Sequence, residues 1–174
     1  GGMRALTNAL GHREAPFRRG ASLKGVFAGL PAVVIGAGAS LREVEGVLAT
    51  WKGRALLLAG GGALPLLKRV EPDLGGMIDP FPPSTPFRKE EKHFPFPICF
   101  QARVHGENLR RCEGERILFG EESLPLLNWL YGVEPFEGGW SVSNFLTSVA
   151  LHFGCKPIVF AGVDLCYTGG KYGK

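Results

Sequence analysis

No apolar run in this chain approaches the roughly 20 residues that cross a bilayer. The N-terminus also lacks the unbroken apolar core of a secretory signal, because Arg4, Asn8 and His12 interrupt it. A cytoplasmic location is therefore expected. The four cysteines, Cys99, Cys112, Cys155 and Cys166, form no C-x-x-C pair. That spacing argues against a zinc or dithiol motif and for buried, reduced thiols, so no metal ligand is assigned. The sequence contains no internal repeat. It also lacks a block of like charge with interleaved aromatics, so nucleic acid is not an expected partner.

Charge is nevertheless uneven. The net charge of +4 resides entirely in residues 1–30, where five basic residues face the single acid Glu14. This segment reads as a basic arm or helix, set apart from a domain covering 31–174. A chain of 174 residues with 45% hydrophobic content is large enough for one domain with a real core.

The pattern along the chain alternates strands and helices. Ala32–Ile35 is apolar at every position, as a strand buried on both faces requires. Leu41, Val44, Val47 and Leu48 give one apolar face to a helix over Ser40–Trp51. Further strands are expected at Ala55–Ala59, Asp73–Ile78, Ile98–Val104, Arg116–Phe119 and Pro157–Ala161. Helices are expected at Ala63–Arg69, Glu107–Cys112, Glu122–Tyr131 and Ser141–Phe153. Six prolines between Pro80 and Pro97, with the charged run Arg88–Lys92, read as a long loop over a site. This order predicts a Rossmann-like three-layer α/β/α sandwich with a mostly parallel sheet. The Tyr167–Lys174 tail is followed by no closing element, which reads as a truncated C-terminus.

Four turns at predicted strand ends are candidates for chemistry. In Gly36-Ala37-Gly38-Ala39-Ser40 the glycines admit an anion, and the helix N–H groups point at it. The same residues also read as a capping box, Ser40-Leu-Arg-Glu43. Leu41 stands where a dinucleotide fingerprint has its third glycine, and no Gly-Lys-Ser/Thr follows, so the two commonest nucleotide motifs are excluded. Asp79 follows an apolar strand, fixed by Pro80. It reads either as a proton acceptor, ribose or metal ligand, or as a turn-forming aspartate. Gly138-Gly139-Trp140-Ser141 opens a helix, with Ser141 as cap or contact. Asp164 ends the last strand. His105 reads as a capping or surface residue and His152 as structural.

These residues resemble a known family. The motifs Gly36-Ala-Gly-Ala-Ser-Leu41, Pro72-Asp73, Ile78-Asp79-Pro80, Gly139-Trp-Ser-Val142, Gly154-Cys-Lys-Pro-Ile158 and Gly162-Val-Asp-Leu-Cys-Tyr-Thr-Gly-Gly170 occur in its order. The stretch from about Phe27 onward is similar to the central domain of bacterial motility accessory factor (Maf) proteins, within the wider MptE-like family. That resemblance implies a sialyltransferase-like fold and one of two activities. Maf proteins are implicated in transferring nonulosonic acids from CMP-sugars to flagellin. The archaeal branch is a Mg-dependent 6-hydroxymethyl-7,8-dihydropterin diphosphokinase that uses ATP.

The diphosphokinase pattern has Asp-Gly after the second strand and Asp-Leu-Asp-Gly after the third. Here Gly60-Gly61-Gly62 and Met77-Ile78-Asp79-Pro80 replace them. So few acids point to the CMP-sugar reading, which requires no cofactor, whereas the diphosphokinase reading requires Mg²⁺. In the CMP-sugar reading Gly36, Gly38 and Ser40 would hold the donor phosphate, with Ala39 and Gly61 also binding the nucleotide. Gly139 and Ser141 would face the nucleotide, and Asp79 or Asp164 would supply the catalytic carboxylate. A protein acceptor such as flagellin is the implied partner. Two departures stand out: Ala39 replaces the family's usual proline, and the chain ends before a histidine that commonly follows Thr-Gly-Gly. A non-catalytic nucleotide-binding domain is the remaining alternative.

Overall fold

The computed structural model describes residues 2–12, 16–83 and 93–166. Seven strands form one sheet: β1 (Arg18–Arg19), β2 (Ala32–Ile35), β3 (Leu56–Gly60), β4 (Leu74–Met77), β5 (Ile98–Gln101), β6 (Arg116–Phe119) and β7 (Ile158–Ala161). Their spatial order is β1-β6-β5-β4-β3-β2-β7, and every pairing is parallel. The α/β class with a parallel sheet is therefore as the alternation predicts.

Chain direction across the sheet reverses beside β2. From β2 to β6 each strand is laid down on the same side of its predecessor, whereas β7 returns to β2's other edge. Ligands in open α/β sheets bind at the carboxyl ends of strands, in the crevice where the order reverses.

Alternation along β2 shows how the sheet divides two cores. Val33 and Ile35 join one apolar cluster, with Leu41 and Leu48 of helix α2 (Leu41–Trp51) and Ala5 and Ala9 of helix α1 (Gly2–His12). Ala32 and Val34 join the other, packed on Phe145, Leu146, Val149 and Ala150. Those four belong to Val142–His152, the third long helix. Between α2 and it lie two short ones, α3 (Gly106–Arg110) and α4 (Pro125–Tyr131), which makes it α5. Two glycines let α5 lie close to the sheet. A Cβ on Gly60 would stand 2.6 Å from Val142 Cγ1, and one on Gly76 2.5 Å from Leu146 Cδ2. The N-terminus of α5 is thereby held over the ends of β3 and β4.

Several elements differ from the sequence pattern, each for a physical reason. The helix expected over Ala63–Arg69 is a series of turns. The N–H groups of Lys68 and Arg69 donate to the buried Glu45 carboxylate of α2, not to carbonyls four residues back. Strand β5 stops at Gln101 because Val104 N–H turns back onto the Gln101 carbonyl. Helix α4 begins at Pro125, not Glu122, with proline in the first turn, where its missing N–H costs nothing. The pair Arg18–Arg19 was not expected as a strand, yet it pairs with β6 at the sheet edge, and Arg18 Nε meets Glu115 Oε1 at 2.7 Å. Charged side chains suit an edge strand.

The expected thiol burial holds for Cys99, Cys112 and Cys155, while Cys166 is exposed. The Arg88–Lys92 run and Tyr167–Lys174 lie outside the described residues. No described helix is long and apolar enough to cross a membrane.

Candidate functional site

At the reversal point the ends of β2 and β7 meet. The loop Gly36–Ser40 lies against Gly162–Asp164, with Gly36 N–H donating to Ala161 O at 2.8 Å and Gly38 N–H to Gly162 O at 2.7 Å. The capping box does not form. Ser40 has helical backbone angles and its side chain makes no cap. Its hydroxyl instead donates to Asp164 Oδ1 in a short hydrogen bond, and its N–H donates to Asp164 Oδ2 at 3.0 Å. A carboxylate thus stands at the α2 N-terminus, where the helix dipole favours negative charge. The Ser40 hydroxyl and then its N–H hold the Asp164 carboxyl below the usual aspartate value. The Gly36–Ser40 turn and Asp164, read separately in the sequence, are one assembly.

A second assembly lies over β3, β4 and β5. A cleft of about 540 Å³ is lined by Gly61, Gly62, Gly76, Asp79, the Pro80–Pro83 segment, Arg103, Asn108, Trp140 and Val142. Asp79 is exposed, and its Oδ1 accepts from Phe81 N–H at 2.9 Å, so it forms the turn as well as facing the cleft. Arg103, missed by the sequence reading, ties three strand ends together. Its Nε donates to the Ile78 carbonyl at 3.1 Å, and its Nη1 meets Glu121 Oε1 at 2.8 Å. Glu121, also missed, is buried, and that burial pushes its carboxyl above the ordinary value against the pull of Arg103 and Ser123. Glu121 had the signal of following the strand expected at Arg116–Phe119, whereas Arg103 fell inside the strand expected over Ile98–Val104 and lies past it only because β5 stops at Gln101. The two assemblies adjoin, because β3 lies beside β2, and a Cβ on cleft-lining Gly62 would stand 3.4 Å from Ala37 Cβ of the loop after β2.

The basic N-terminal helix shapes the cleft lip. Asn8 Nδ2 donates to Pro80 O at 3.0 Å and to Arg103 O at 2.8 Å, and the Arg4 guanidinium lies 4.5 Å from the Phe81 ring centre. Asn108 Nδ2 completes the fastening on Phe81 O at 3.1 Å.

Other candidates take structural parts. Ser141 caps α5, accepting from Asn144 N–H at 3.1 Å. His105 caps α3 through Nδ1, and His152 Nε2 lies 3.0 Å from Gly20 O among aromatic rings. Gly139 lines a smaller recess beside the cleft. Among the described residues no three acids, cysteines or histidines gather into a metal-binding group.

Residues 10–170 match the MptE-like family, described as 6-hydroxymethylpterin diphosphokinase MptE-like. The chain belongs to this family. The MptE-like fold is shared with a solved Maf glycosyltransferase from Magnetospirillum magneticum AMB-1, at TM-score 0.74 and 20% identity. That likeness covers 93% of this MptE-like chain and 27% of the glycosyltransferase, so the chain spans about a quarter of its neighbour's length. No curated protein matches the sequence.

Proposed function

We infer that this MptE-like chain is a nucleotide-binding transferase domain, and that its reaction is glycosyl transfer from a CMP-activated nonulosonic sugar. The carrying observation is the lining of the cleft at the carboxyl edge of the sheet. It joins the side-chain-free Gly61–Gly62 turn, one guanidinium, Arg103, and one carboxylate, Asp79. A phosphate leaving group needs backbone it can approach and a positive charge beside it. The sugar cation left behind is stabilised by a nearby carboxylate. The volume lies within the range of small-ligand sites.

Gly36, Gly38, Ala39 and Ser40 form a second anion position in this reading. A phosphate enters there only as Asp164 releases the Ser40 hydroxyl and N–H, which couples donor binding to a freed carboxylate. Gly139 and Ser141 then border the nucleotide from the α5 side. A protein such as flagellin is the proposed acceptor.

The family description supports a second reading, the Mg-dependent pterin diphosphokinase. Mg²⁺ commonly takes one or two carboxylates plus polyphosphate oxygens. In the described part of the cleft Asp79 is the only acid available to it, which fits the ion at the low end of its needs. Calorimetric titration separates the readings. CMP or CTP binding without metal, followed by CMP release from a CMP-nonulosonic acid, is expected. ATP binding only with Mg²⁺ overturns the glycosyl reading in favour of the kinase. CMP binding with no transfer to any acceptor leaves a binding domain without catalysis.

A further inference from the structure

Beside the cleft, and sharing Arg103 and Trp140 with it, a recess of about 90 Å³ lies between the ends of β5 and β6 and the Gly138–Gly139 turn. Gln101 and Glu121 line it, and both are more than nine-tenths buried. Their polar atoms can be counted. Glu121 Oε1 accepts from Arg103 Nη1 at 2.8 Å and from Ser123 Oγ at 3.1 Å. Gln101 Nε2 donates to Gly120 O at 3.0 Å. Glu121 Oε2 and Gln101 Oε1 remain, the only buried side-chain nitrogen or oxygen atoms without a partner among the described residues.

Buried polar atoms are rarely left unpaired, and each exception calls for a cause. Both atoms here are acceptors, and both belong to residues lining one recess. A complementary ligand therefore brings N–H donors. Phe136 and Trp140 supply aromatic walls, and the Trp140 ring is exposed at the mouth. Such walls favour a flat ring. The recess holds about three waters' worth of volume, enough for the edge of a ring.

We propose that Glu121 and Gln101 form an amine-reading subsite, which accepts the exocyclic amino group of a flat nitrogen heterocycle bound in the cleft. This rests on the nucleotide-transferase reading and adds to it a rule of selection. A ring with an amino group satisfies the two acceptors. The matching ring with a carbonyl there sets a third acceptor against them, and such a mismatch is rejected strongly. The same amino chemistry occurs on cytosine and on a pterin, so two ligand pairs distinguish the source.

The experiment titrates the full chain calorimetrically with CMP and UMP, and with pterin and its keto analogue lumazine. The amino member of one pair is expected to bind at least about tenfold tighter, a 1.4 kcal/mol difference. Glu121→Gln presents an N–H in place of one carboxylate oxygen, so it should erase most of that preference. Gln101→Leu, which keeps the volume and removes the second acceptor, gives an independent reading if Glu121→Gln fails to fold by thermal melt. Equal affinities within both pairs, or full preference retained in the folded variants, overturn the subsite while leaving nucleotide binding intact. No binding of CMP, CTP or ATP under any condition overturns the transferase reading itself.

Discussion

Substituting Gly38 by alanine tests the junction of β2 and β7 directly. Gly38 lies outside the left-handed region, so alanine suits its backbone, and contact alone decides the outcome. The new Cβ would stand 2.5 Å from Asp164 Cγ and 2.7 Å from the Gly162 carbonyl oxygen. That oxygen is the acceptor for Gly38's own N–H. The aspartate can swing away, but the backbone carbonyl moves only if the two loops part. Overpacking of this kind costs about 1–3 kcal/mol, and losing the hydrogen bond adds about 1 kcal/mol. At about 2–4 °C per kcal/mol, a loss of about 2–4 kcal/mol lowers Tm by about 5–15 °C. Gly46→Ala is the matched control. Its Cβ meets only Arg69 Nη1, at 3.9 Å, inside α2, so it should stabilise by about 0.5–1 kcal/mol. Differential scanning calorimetry reads both. Adding Asp164→Ala to Gly38→Ala should restore only part of the loss, because the carbonyl contact remains. A Gly38→Ala protein melting within about 1 °C of wild type, or full rescue by the second substitution, refutes the reasoning.

Asp164 predicts a pH effect whose sign follows from its depressed pKa. Its contribution is fully present above the ordinary aspartate value near 3.9 and is lost as pH falls through the lower folded value. Asp164→Asn should therefore flatten the acid limb of a urea-midpoint profile below about pH 4, and an unchanged limb counts against the Ser40–Asp164 pair. Thiol reactivity should be equally selective. Burial raises Cys99 and Cys155 and pushes Cys112 up to about 12, so among these and the exposed Cys166 only Cys166 should react quickly with a disulfide reagent in the native state. Fast reaction of two or more of the four would contradict this packing.

Local signals carried the interior of the fold. The strands Ala32–Ile35 and Arg116–Phe119 lie where the apolar runs place them, and α2 and α5 begin one residue after the expected start. At Lys68, Arg69 and Ser40, whose N–H groups had distant acceptors, pattern alone misled. Glu45 removed a helix by accepting from Lys68 and Arg69, and Asp164 took Ser40 out of its capping box. Neither partner is within a helical turn of the group it binds, so no short sequence window contains the answer.

The sequence by itself determined that strands and helices alternate, that the sheet is parallel, and that polar turns gather at its carboxyl edge. Those properties follow from periodicity and from glycine, proline and capping chemistry, all of which act over a few residues. Tertiary structure alone decided which turns meet. The reversal of strand order beside β2 brings Asp164 across 124 residues onto Ser40. Asp79, Gly61 and Trp140 meet elsewhere, around a cleft whose cation is Arg103. Glu121 and Gln101 carry no motif. Their unpaired oxygens exist only because β5 and β6 are neighbours and the segment from Phe136 to Trp140 borders them. Burial and partnership are properties of the packed chain, and from them come both the cleft's charge and its inferred selectivity.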